Sequence, residues 1–68
     1  MNKNILTKRE KEVFDLLIRN KSTKEIAEEL FISEKTVRNH ISNAMQKLGV
    51  SGRAGAVIEL IKLGEINL

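Results

Sequence analysis

The polar and apolar positions along this chain fall into four short blocks, each opened by a small polar residue. Thr7 followed by Glu10 has the spacing of a capping box, in which a hydroxyl accepts from a first-turn N–H while the carboxylate reaches back. A first helix is therefore predicted over about 7–19. Val13, Phe14, Leu16, Leu17 and Ile18 contain the i, i+3, i+4 set of a buried stripe, and Arg19-Asn20-Lys21 ends it. Ser22 and Glu25 repeat the capping spacing, predicting a second helix over about 23–30 that turns Ile26, Ala27 and Leu30 inward. Phe31-Ile32 then breaks the rhythm. Ser33 stands before Glu34, whose charge suits a helix N-terminus, and a third helix follows over about 34–48. Its stripe is Val37, Ile41, Ala44 and Leu48, and Gly49 takes the position just past its end. Ser51-Gly52-Arg53 opens a fourth helix, about 53–63, which closes at Gly64.

The fold class expected is all-α, a single four-helix domain over residues 1–68. Proline is absent, and the four glycines stand at 49, 52, 55 and 64, so nothing interrupts the first three helices. Only about three residues separate helix two from helix three. A connection this short fits the steep crossing of a helix-turn-helix, and Ala27 is small where the two helices would approach each other. In helix four, Ala56, Val57, Leu60 and Leu63 suffice to close the core over helix one. That leaves Ala54, Ile58 and Ile61 at i, i+4 and i+7 as an adjacent apolar strip, which a two-fold partner would bury.

Size and composition narrow the chemistry. A chain of 68 residues buries only roughly 60% of the surface its unfolded form exposes. With no cysteine and a single histidine, it has neither disulfides nor the ligands of a structural zinc site. No apolar run approaches the roughly 20 residues of a membrane span, and no signal segment is present, so a cytoplasmic protein with no membrane partner is expected. Catalysis is poorly supplied. His40 has no acidic residue within four positions, and a chain this short hardly encloses a substrate site, so neither an enzyme nor a cofactor is expected. His40 itself reads as an imidazole packed at the margin of the core.

With the helix-three stripe turned inward, the opposite face carries Lys35, Arg38, Asn39, Ser42 and Gln46. It holds no acid and includes two of the side chains that read base edges bidentately, Arg for guanine and Asn for adenine. Residues 33–53 place Lys35, Arg38, Lys47 and Arg53 against Glu34 alone, so the whole formal charge of +3 resides around this helix. Phe14 and Phe31 are the only aromatics, too few for the stacking platform of a single-strand binder. Double-stranded DNA is the partner these features favour. The competing reading is a protein-interaction module whose helix-three face docks an acidic partner.

Leu6-Thr7-Lys8-Arg9-Glu10, Lys24-Glu25-Ile26-Ala27, Leu30, Ile32-Ser33, Thr36-Val37, His40, Ile41, Lys47-Leu48 and Arg53 together resemble the LuxR/GerE-type helix-turn-helix domain over essentially the whole chain. The stretch from Thr23 to Val50 is especially similar to the stand-alone members that regulate late sporulation genes. The resemblance implies a third helix that enters the major groove and a fourth that forms a two-fold dimer. By position, it implies base reading by Arg38, Asn39 and Ser42, with Lys35 beside them. Phosphate contacts would come from Lys24, Thr36, Asn43, Lys47 and Arg53, and the dimer contact from Ala54, Ile58 and Ile61. Many relatives carry a receiver or sensing domain ahead of this one, so an excised effector domain of a larger response regulator is the alternative; Met1 followed by Asn2, Lys3 and Asn4 favours a regulator acting alone. Glu28 and Glu29, on the outer face of helix two, offer a contact for RNA polymerase.

Overall fold

The computed structural model describes residues 5–64; the polar lead of residues 1–4 lies outside them. All regular structure among the described residues is helical: α1 (Lys8–Ile18), α2 (Thr23–Leu30), α3 (Glu34–Leu48) and α4 (Arg53–Lys62). Three of the four helices start on a side-chain cap. Thr7 and Ser22 both form complete capping boxes, with Glu10 and Glu25 as the reciprocal carboxylates. Ser33 caps α3 by accepting from the Thr36 N–H at 3.0 Å, and its hydroxyl also pairs with that of Thr36 at 2.9 Å. The first residue of α4 follows Gly52, which has no side chain with which to cap.

A left-handed residue follows every helix, at Asn20, Phe31, Gly49 and Gly64, and at α2 and α3 it is the C-cap residue itself. Gly49 closes α3 at φ 69°, as its position in the sequence suggests. Phe31 closes α2 at φ 59°, ψ 44°, with its ring 93% exposed. A β-carbon is disfavoured there, but the turn leaves no choice of conformation. The Ile32 N–H donates to the Ala27 carbonyl at 3.0 Å, which fixes the exit from α2 and delivers Ser33 to the start of α3.

The core joins Leu6, Val13, Phe14 and Leu16 to Ile26 and Ala27, Val37, Ile41 and Ala44, and Ala56 and Leu60. α3 is the central element, since it packs against each of the other three helices. Two expectations for helix four need correction. α4 packs chiefly against α3 rather than closing over α1. Leu63 is not core either: it is the C-cap residue and stands 50% exposed, because the regular helix that would carry the buried stripe ends one residue before it, at Lys62. Ala56 and Leu60 alone are fully buried in α4, with Val57 half-buried beside them.

Candidate DNA interface

At about 100° per residue, the α3 positions 35, 38, 39, 42 and 46 fall within one third of the helix circumference, opposite 37, 41, 44 and 48. In the structure Val37, Ile41 and Ala44 are buried, whereas Lys35, Arg38, Asn39, Ser42 and Gln46 are all exposed. The result is a convex strip of donors on the central helix, held from behind by the whole core. Arg38 makes a long ion pair, 3.7 Å, with Glu34 one turn earlier, and both side chains are about half exposed. Such exposed pairs contribute little, so the guanidinium is free to turn to another acceptor.

The predicted phosphate contacts surround this strip unevenly. The Thr23 hydroxyl lies 3.5 Å from Glu34 Oε1, which brings the start of α2, and with it exposed Lys24, beside the start of α3. Arg53 is exposed at the N-terminus of α4. Asn43 is exposed, while the Thr36 hydroxyl is shared with Ser33. Thr36, His40, Asn43 and Lys47 share the flank of α3 next to this strip of donors.

Lys47 has a partner that the sequence does not announce. Its Nζ lies 2.7 Å from Glu10 Oε1, across 37 residues of chain. Glu10 is 3% exposed and is the one buried charged residue among those described. The same oxygen accepts the Thr7 N–H at 2.9 Å, so a single carboxylate caps α1 and ties it to the last turn of α3. Burial opposes ionisation of Glu10, but the Lys47 ammonium, the Thr7 N–H and the nearby His40 together hold its carboxyl below the ordinary glutamate range. A signal was available in the sequence: Glu10 stands at i−3, i−4 and i−7 from Val13, Phe14 and Leu17, on the buried side of the first helix.

On α4 the apolar strip expected at a dimer contact is partly open. Ala54 is exposed, Ile58 is 54% exposed and Ile61 is half-buried. Glu28 and Glu29 point outward from α2 with exposed carboxylates. No group of three His, Cys, Asp or Glu side chains among the described residues is placed to hold a metal, and no helix is long and apolar enough to cross a membrane. A depression of about 380 Å³ lies along α1, between Leu6, Lys8, Lys11, Glu12 and Asp15, away from the α3 strip.

A helix-turn-helix whose third helix turns a strip of donors to solvent defines a DNA-binding protein, and the comparisons agree with the geometry. The profile of the family described as "Bacterial regulatory proteins, luxR family" matches residues 4–60. The chain is 72% identical to the spore germination protein GerE of Bacillus subtilis over 67 residues, covering 98% of this chain and 90% of that protein. It is 50% identical to the transcriptional regulatory protein DegU of Brevibacillus brevis over 64 residues, where it spans 27% of the longer protein. The solved structure of the transcription factor GerE superposes with a TM-score of 0.93 at 62% identity, over 96% of this chain and 97% of that one. The response regulator ChrA of a heme-sensing two-component system superposes with a TM-score of 0.85 at 33% identity, over 97% of this chain and 33% of ChrA. The chain therefore belongs to the LuxR family of bacterial regulatory proteins and is a DNA-binding transcriptional regulator.

Proposed function

We propose that the protein binds a two-half-site DNA operator as a homodimer, with α3 in the major groove of each half-site. The observation that carries this reading is the face of Lys35, Arg38, Asn39, Ser42 and Gln46, exposed together with only Glu34 at its edge as an acid. Arg38, Asn39 and Ser42, with Lys35 beside them, read base edges. Lys24, Thr36, Asn43 and Arg53 hold phosphates, supported by the proximity of the α2 and α3 N-termini. Lys47, also expected in that set, is instead held by the Glu10 carboxylate and makes no phosphate contact.

The dimer forms through Ala54, Ile58 and Ile61 of α4, the apolar strip that a single copy leaves partly wet, and it spaces the two α3 helices about one DNA turn apart. Glu28 and Glu29 face outward and serve as a contact for RNA polymerase. The protein works in the cytoplasm on the nucleoid, as a regulator of sporulation genes and as a binding protein rather than an enzyme. The likeness to the spore germination protein supports that setting.

Selecting bound fragments from random duplex and titrating the recovered operator against unselected duplex at two salt concentrations tests the proposal. Tight operator binding is expected, with the logarithm of the affinity falling against the logarithm of the salt concentration at a slope of about 0.9 per phosphate contact. Equal affinity for both duplexes, or binding that ignores salt, contradicts it.

A further inference from the structure

Glu10 is used by nothing in the DNA-binding face, yet it is the only charged residue taken out of water among those described. It belongs to α1, and its partner Lys47 lies on the last turn of α3, on the flank beside the base-reading strip. The 2.7 Å contact has two consequences. It fixes the C-terminal half of α3 against α1, since Glu10 is itself held by the Thr7 cap. It also occupies an ammonium that would otherwise be a mobile, sequence-blind cation next to the groove. Lys47 remains 37% exposed, so a small rotation of its side chain would bring it within reach of solvent anions. A cation released at this point has phosphates as its natural acceptors, because a phosphate contact requires no particular base.

We propose that Glu10 is a positioning residue for DNA recognition: through Lys47 it sets the seating of α3 and withholds one non-specific phosphate contact per subunit. In the complex Lys47 stays on Glu10, and discrimination rests on the Arg38, Asn39 and Ser42 face. Without the carboxylate, Lys47 moves to a phosphate, random duplex is bound more tightly, and the operator gains less because α3 is no longer held in one register. The inference rests on the reading of α3 as the DNA face.

A double-mutant cycle tests it. Glu10→Gln keeps an acceptor for the Thr7 N–H but removes the charge that retains Lys47; Lys47→Gln keeps a donor for Glu10 but removes the cation. In Glu10→Gln the salt slope on random duplex should steepen by about 0.9 per subunit, and the ratio of operator to random affinity should fall several-fold. Lys47→Gln alone should leave the slope of the parent unchanged, and the double variant should return to it. A merely structural role for Glu10 would lower affinity for both duplexes without steepening either slope. If Lys47→Gln by itself flattens the slope by one contact, Lys47 is already on a phosphate and the proposal fails.

The unmodified protein supplies an independent reading, should Glu10→Gln not fold. The Lys47 ammonium resonance in NMR should be unmoved by saturating random duplex, and coupling to a backbone phosphorus would overturn the inference. Arg38→Ala, run alongside, separates the two levels of the argument. If it leaves the operator-to-random ratio intact, the α3 interface itself is at fault; if it collapses that ratio while Glu10→Gln changes no slope, only the role of Glu10 is lost.

Discussion

At Phe31 the chain accepts two costs at one residue: an aromatic ring in water and a β-carbon on left-handed backbone. Left-handed conformation costs an L-residue roughly 1–2 kcal/mol, and glycine escapes this at the expense of a more disordered unfolded chain. Phe31→Gly should therefore raise stability by about 0.5–1 kcal/mol, seen as a melting temperature a few degrees higher. A lower one would mean that the ring supports the fold. The sequence showed Phe31-Ile32 only as a break in rhythm, because the φ of a turn residue is set by the hydrogen bond from Ile32 to Ala27 and not by its own preference. Glu10 was legible in part for a related reason. Its capping spacing is local and visible, whereas its partner lies 37 residues away, and a lysine near the end of a helix looks the same whether it faces solvent or a buried carboxylate.

Among the elements, α1, α2 and α3 were readable nearly to the residue, since Thr7, Ser22 and Ser33 each satisfy first-turn N–H groups within three positions of themselves. Helix four lacks such a cap, and its neighbours were not readable. An apolar stripe shows which side is buried but not against what, so its seat on α3 and the exposure of Leu63 came only with the fold.

The tie between α1 and α3 predicts a dependence on pH. Glu10 ionises more readily in the folded chain than in the unfolded one, so its contribution is complete above the ordinary glutamate pKa of about 4.3 and is lost as pH falls through the lower folded value. Chemical denaturation from pH 7 to 3 should show stability falling in that window, and the fall should be shallower in Glu10→Gln. Identical profiles for the two would mean that other carboxylates govern acid unfolding. On α4, Ile58 is exposed enough that Ile58→Glu should keep the helical signal and weak binding to random duplex while losing tight binding to a two-half-site operator. Sedimentation of the complex checks this: one half-site bound by one copy is expected, and an intact dimer on DNA moves the interface elsewhere.

Over the whole molecule, a net charge of only +3 directs the protein to DNA because of where it lies. The buried Glu10 carboxylate holds the ammonium of the partly exposed Lys47, and the exposed pair of Arg38 and Glu34 leaves another cation available. The exposed cations around α3 that Glu10 does not hold are Lys24, Lys35, Arg38 and Arg53, set about the amides and hydroxyl of Asn39, Ser42 and Gln46. On the proposed mode of binding, this surface divides into a part that reads and a part that only holds.

Titrating Arg38→Ala and Lys24→Ala against the selected operator and against random duplex measures that division directly. Arg38→Ala should lose about 1–3 kcal/mol on the operator and little on random duplex, whereas Lys24→Ala should weaken both alike and reduce the salt slope by about one contact. If the two variants lose affinity equally on both duplexes, Arg38 reads nothing, and α3 is not the helix that recognises sequence.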